Sequence, residues 1–232
     1  MGERLRVSVV IPARNERESL PAMLKELKGF DVDEVIVVDG HSTDGTPDIV
    51  RAAGFQAITQ DGRGYGAGVM TGMRVASGDL VTFMDADGSY DPEAIGRMRA
   101  LIENDGYDVV FCSRYLPESG SDDDTFIRLA GNMIFTTLMR LMFGVKLSDA
   151  LFFYALARKE IYTSTKWEYP DFALCVEIPI KLHQAGYKYT EIPSRERPRI
   201  GGDSKVNALT DGLSILWAMI KLRLRRRARR SG

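Results

Sequence analysis

Asp85 and Asp87 stand on alternate residues directly after the apolar run Leu80-Val81-Thr82-Phe83-Met84. Two carboxylates that close together at the end of a buried segment repel one another, and a hard divalent cation relieves the repulsion. Mg²⁺ or Mn²⁺ takes oxygen ligands of this kind and completes its shell with water and substrate phosphates. A cation held there neutralises a diphosphate as it departs from a substrate. The next acid, Asp91, precedes Pro92 and has the position of a helix cap. Asp85 and Asp87 come before that cap, and the spacing assigns them to a metal. Other chemistries fit less well. The two cysteines, Cys112 and Cys175, and the two histidines, His41 and His183, lack metal-ligand spacing, which argues against a zinc site and a disulfide framework. No Walker A pattern occurs, and the run Gly62, Gly64, Gly66, Gly68 does not fit G-x-G-x-x-G.

The frame for these carboxylates is an alternation of strand and helix. Val7 to Ile11 is a short β-branched run stopped by Pro12, and Leu20, Met23, Leu24 and Leu27 then recur at helical spacing. A second strand, Val35 to Val38, ends at Asp39; Thr46 as cap, Pro47 and Gly54 mark the helix after it. Phe55 to Ile58 is a third strand, followed by the glycine loop and a helix closing at Gly78. Leu80 to Met84 is the fourth, and Val109 to Cys112, running into Ser113-Arg114, the fifth. Strands apolar on both faces and separated by helices predict an α/β fold with a mostly parallel sheet flanked by helices. Ligands bind where the carboxyl ends of such strands emerge. Asp39, Asp85 and Ser113-Arg114 sit at those ends. Two further helices, 126–143 and Leu174 to Ala185, follow without a linker or an internal repeat. One domain is expected over residues 1–205, in two halves at 1–116 and 117–205, with an appended helix and tail at 206–232.

Charge divides the chain unevenly. The formal net charge is −1, yet seven basic residues fall in the last twelve positions, so the first 220 residues carry −8. An acidic body argues against nucleic-acid binding. Leu213, Leu216 and Ile220 recur at helical spacing beside Trp217, just before the basic run. That pattern suits a helix lying on an anionic membrane surface, or alternatively a core-packed helix with a soluble basic tail. No apolar run reaches the length of a span and no signal segment opens the chain, so the expected location is cytoplasmic, peripheral to the inner face of the membrane.

Three segments in order, Val9-Val10-Ile11-Pro12-Ala13-Arg14-Asn15-Glu16, Val37-Val38-Asp39-Gly40-His41-Ser42-Thr43-Asp44-Gly45-Thr46 and Asp85-Ala86-Asp87, resemble the signatures of GT-A, family 2 glycosyltransferases. The resemblance runs from about Val7 to Lys205. It implies a Rossmann-like GT-A fold, with Pro12, Ala13, Glu16 and Asp39 on the nucleoside of a nucleotide-sugar donor. It also implies that Asp85 and Asp87 hold Mg²⁺ or Mn²⁺ at the diphosphate, with Asp87 catalytic. The glycines either let backbone approach the donor or form a plain connector. Downstream, the chain is similar to polyprenyl-phosphate glycosyltransferases, including dolichol-phosphate mannose synthases. By that resemblance Ser113, Arg114 and Arg128 serve the acceptor, Arg199 and Lys205 close over the donor phosphates, and Asp149 is a catalytic acceptor-side acid. The Ser-Gly-Phe-Arg that often follows that acid is replaced here by Phe152-Phe153-Tyr154-Ala155.

The implied reaction is inverting transfer of a hexose from a GDP-mannose or UDP-glucose type of donor to a polyprenyl phosphate, whose ionised oxygen attacks without a base. A soluble hydroxyl acceptor would instead need Asp149 as base. A silent nucleotide-sugar-binding module is the third reading, and the intact acid pair speaks against it. The oligomeric state leaves no mark in the sequence.

Overall fold

In the computed structural model, which describes residues 4–201 and 208–230 (the side chains of 208 and 226–230 excepted), strand and helix alternate through the first half. The order is β1 (Val7–Ala13), α1 (Leu20–Leu27), β2 (Glu34–Asp39), α2 (Thr46–Ala52), β3 (Gln56–Thr59), α3 (Tyr65–Val75), β4 (Leu80–Phe83), α4 (Glu93–Asp105) and β5 (Val109–Ser113). The second half supplies β6 (Gly120–Ser121), α5 (Phe126–Phe143), β7 (Ala155–Arg158), α6 (Lys159–Ser164), α7 (Leu174–Ala185), β8 (Tyr189–Pro193), β9 (Arg195–Glu196) and α8 (Ala208–Arg230).

Seven strands make one sheet in the order β3-β2-β1-β4-β7-β5-β8, and β6 pairs with β9 apart from it. All pairings are parallel except those of β7, which runs antiparallel between β4 and β5. β1 and β2 end level, with Ala13 opposite Asp39, so their two loops open side by side. Alternate residues of each strand face opposite layers. Val7, Val9 and Ile11 pack with α1 and α4, while Val10, Val81 and Phe83 join α3, α5, α7 and α8 on the other face. Burial on both faces explains the continuous apolar runs.

Several local expectations change. Thr46 is the first residue of α2 rather than its cap; Gly45 holds the cap position at φ 88°, and the Asp44 carboxylate accepts from Thr46 N (2.9 Å). The second half of the glycine run is helix, since α3 begins at Tyr65. Its glycines are there for close approach: a Cβ on Gly72 would lie 2.1 Å from Val10 Cγ1, and one on Gly66 2.5 Å from the Tyr169 carbonyl oxygen.

The last helix is not an appendage, because Ile215, Ala218, Met219 and Leu222 of α8 are buried in the core. The division expected at residue 205 therefore does not isolate it. Leu213, Leu216 and Trp217 are exposed and Ile220 is half-buried. α5 is also long and apolar enough, by length and composition, to cross a membrane, with 22% of it buried. The sequence reading had anticipated no such run.

The α3–β1 contact leaves no room for a methyl group. Gly72→Ala should destabilise the protein by about 1–3 kcal/mol through overpacking, read as a lower midpoint in urea. Adding Val10→Ala should restore part of that loss; two losses that simply add would show that the contact does not limit the packing.

Candidate active site

The end of β4 and the turn after it form the floor of a cleft of about 580 Å³. Asp85 accepts a hydrogen bond from the Tyr65 hydroxyl (2.7 Å). The Tyr65 ring is held edge-on by Phe153 (5.7 Å) and tilted against Phe172 (5.8 Å). Burial, followed by the Asp85 charge, pushes the Tyr65 phenol upward, so it remains a donor. Asp87 Oδ1 accepts from Ser89 N (2.9 Å), and its Oδ2 faces Arg199 Nη1 at 3.0 Å. Burial first, and the neighbouring Asp87 charge second, push the Asp85 carboxyl from 3.8 to about 7.

Such a pair fits a hard cation, and the Arg199 guanidinium supplies positive charge to it here. Among the described residues no group of three or more His, Cys, Asp or Glu could hold a metal. A cation at Asp85 and Asp87 would therefore draw its remaining ligands from water and the donor's phosphates, as Mg²⁺ does at nucleotide sites.

Two knitted loops build the cleft wall. Asn15 N donates to Ser42 Oγ (2.9 Å), Thr43 N to Asn15 Oδ1 (2.9 Å) and Glu16 N to Thr46 Oγ1 (3.0 Å). Asn15 and His41 take positive φ, 54° and 62°. Pro12, Ala13 and Glu16, expected on the donor's nucleoside, line the cleft. Asp39 is 7% exposed and lies behind the lining residues Gly40 and His41, with Ser42 N at 3.2 Å from its carboxylate.

Arg199 lines the opposite side. Its segment is laid over the acidic turn, with Arg197 N on Ser89 O (2.7 Å) and Ile200 N on Asp87 O (2.8 Å). Arg199 Nε also reaches Asp123 Oδ2 (2.9 Å), which Arg128 Nη1 approaches to 2.7 Å. Asp87, Arg199, Asp123 and Arg128 thus form one chain of alternating charge, from the cleft floor to the start of α5. Lys205 lies outside the described residues.

Ser113, Arg114 and Asp149 are beneath the cleft rather than in it. Asp149 is 3% exposed. Arg114 grips it with Nε (2.8 Å) and Nη2 (3.0 Å), and reaches Glu196 with Nη1 (3.0 Å). Burial works against the Arg114 charge, and Asp149 with Glu196 more than offsets it. Ser113 is fully buried, its hydroxyl 2.6 Å from that of Ser148. The altered stretch after Asp149 is packing: Arg114 stacks on Phe152 (4.8 Å), Phe153 stacks on Phe83 (5.2 Å), and the buried Tyr154 hydroxyl donates to Asp91 O (2.9 Å).

The sequence reading passed over Tyr65, Asp123, Asp171 and Asp211. Asp171, in the turn before α7, and Asp211, on α8, both line the cleft. Tyr65 sits in the glycine run and Asp123 in the run Asp122-Asp123-Asp124. Nothing in one dimension ties Asp171 or Asp211 to the acid pair.

An acid held at about 7 in the folded state costs stability as pH rises from its ordinary value, and the cost is complete above 7. Asp85→Asn removes the charge and keeps an acceptor for Tyr65. In chelator, its Tm should exceed that of the parent by several degrees at pH 8, with the gain shrinking towards pH 4. Equal shifts at both pH values would disprove the charge penalty.

A family model described as glycosyl transferase family 2 matches residues 8–164. A dolichyl-phosphate hexose transferase of Haloferax volcanii is 29% identical over 225 residues, covering 96% of each chain. An undecaprenyl-phosphate mannosyltransferase of Micrococcus luteus is 29% identical over 244 residues, covering 95% of this chain and 99% of the other. The fold is shared with a glucosyl-3-phosphoglycerate synthase of Mycobacterium tuberculosis solved with Mn²⁺, uridine diphosphate and glucosyl-3-phosphoglycerate. That likeness has a TM-score of 0.75 at 20% identity and covers 94% of this chain and 80% of the other. With its match over two-thirds of its length and its acid pair at the end of the fourth strand, the chain belongs to glycosyl transferase family 2.

Proposed function

We propose that this protein is an inverting, Mg²⁺- or Mn²⁺-dependent hexosyltransferase that moves a hexose from a GDP-mannose or UDP-glucose type of donor to a polyprenyl phosphate at the cytoplasmic membrane face. The observation that carries the acceptor class is the state of Asp149. An alcohol acceptor needs a base, and the acid expected to serve is clamped by both oxygens to Arg114. A phosphate monoester is already ionised near neutral pH and needs none. The names of the Haloferax and Micrococcus relatives agree with this reading.

The residues divide the work accordingly. The loops after β1 and β2 hold the nucleoside, and Asp85 and Asp87 would hold the metal, which would offset the charge of the departing diphosphate. Tyr65 keeps Asp85 oriented by its hydrogen bond. An acceptor phosphate oxygen attacks the anomeric carbon as the bond to the nucleoside diphosphate breaks, so an α-linked donor yields a β product. Arg199, now paired with Asp87, would be free to pair with the donor phosphates if a cation occupied the acid pair. Arg128, held by Asp123 at the other end of the charge chain, receives the acceptor phosphate, as a guanidinium suits phosphate oxygens.

Two substitutions test the two halves of this reading. Asp87→Asn should lower hexosyl transfer on the order of 10²-fold or more; full activity in EDTA or in this variant would refute the metal. Arg128→Ala should raise KM for a short-chain polyprenyl phosphate roughly tenfold or more, as expected for a lost charged hydrogen bond. Nucleotide affinity should stay unchanged. A comparable fall in nucleotide affinity would move Arg128 to the donor.

A further inference from the structure

We infer that α5 and α8 together form a docking face for the surface of an anionic lipid bilayer. Twelve large apolar side chains are exposed among the described residues, and ten of them lie on these two helices. On α5 they are Phe126, Ile127, Met133, Ile134 and Leu141; on α8 they are Leu209, Leu213, Leu216, Trp217 and Leu224. The spacings follow one face of each helix. The helices are neighbours, for the Phe135 ring lies against Gly212, so the two stripes adjoin. A contiguous apolar patch on this scale marks a surface made for a partner.

Three observations identify the partner as lipid. First, charge: α5 carries Arg128 and Arg140 and no acid, and after Asp211 the chain carries seven basic residues and no acid. Lys221 sits over the Trp217 ring at 5.1 Å, an aromatic and a cation together where the apolar stripe gives way to charge. Interfacial helices have this arrangement, apolar below and cationic at the headgroups. A second copy of the chain would set cations against cations across a two-fold axis, which like-charge repulsion opposes.

Second, α5 lies on the bilayer and does not cross it, because its other face is fastened to the domain. Asn132 Oδ1 accepts from Leu151 N and Thr136 Oγ1 from Ala150 N, both at 3.0 Å. Third, the face runs into the active site. Arg128 directly follows Ile127, and Asp211, between Leu209 and Leu213, lines the cleft. A lipid phosphate at the headgroup level would meet Arg128 there; this orientation rests on the proposed acceptor, whereas the docking face itself does not.

Sedimentation of the full chain with vesicles of phosphatidylglycerol and phosphatidylcholine in equal parts tests the inference. The protein should sediment with these vesicles, and its tryptophan emission should shift to the blue, a shift that Trp217→Phe abolishes. The combined variant Ile134→Glu, Leu213→Glu should lower partitioning roughly tenfold or more. Its thermal shift with UDP or GDP and Mn²⁺ should match the parent's, showing an intact donor site. Partitioning unchanged in that variant overturns the face. So does a parent dimer that the variant dissolves while vesicles bind neither protein, which would make the face a subunit interface. Transfer to a short-chain acceptor in solution is scored separately: its loss refutes the proposed function, and loss of vesicle binding alone refutes only the docking face.

Discussion

Two carboxylates on alternate residues at the mouth of a buried strand set an electrostatic problem that much of the molecule answers. On the floor of a cleft walled by protein, repulsion between Asp85 and Asp87 is screened less than at an open surface. Each acid has its own partner: a phenol for Asp85, and a backbone N–H and a guanidinium for Asp87. The phenol can reach Asp85 only because α3 lies tight against residues 169–171, where a Cβ on Gly64 would come 2.4 Å from the Pro170 carbonyl oxygen. The guanidinium reaches Asp87 only because the segment after β9 is hydrogen-bonded across the acidic turn. The glycine helix, the aromatic cluster of Tyr65, Phe153 and Phe172, and the strap carrying Arg199 thus support one pair of charges.

The cleft's place at the strand ends was legible in the sequence because it is local. Each of its residues follows a strand whose apolar run announces itself, and a parallel sheet brings such strand ends to one edge by topology alone. Pro12, Ala13, Glu16, Asp85 and Asp87 need no further information. The rest of the polar network depends on contacts across long separations. Arg114 meets Asp149 and Glu196, and Arg199 meets Asp123, through packing that no spacing encodes. β7 escaped notice because Ala155 to Arg158 is too short to show a period. The glycine run read as a loop because glycine disfavours helix, and here the gain from close packing against β1 outweighs that preference.

The buried group of Arg114, Asp149 and Glu196 explains why a departure from the family's usual stretch is tolerated. Phe152 covers the guanidinium, Phe153 supports Tyr65, and Tyr154 fills the opposite face of the sheet. The three aromatics brace the site from behind, so their identity answers to packing more than to substrate. Removing one charge from such a group leaves the others buried and unpaired, a cost of about 3–5 kcal/mol. The network is therefore a fixed foundation, and adjustable recognition is left to the side chains above it.

The antiparallel strand between β4 and β5 has a consequence for the growing chain. β5 reaches the rest of the sheet only through β7, whose residues are made some forty positions later. A nascent chain holding everything up to β5 therefore has a four-stranded sheet with an open edge at β4 and a fifth strand with nowhere to dock. Such edges invite mispairing, and long-range pairing of this kind slows folding. The first half of the chain is thus unable to mature ahead of the second. Synthesis must pass residue 158 before the sheet can close, and a fragment ending near residue 116 would present two unfinished edges in place of a domain.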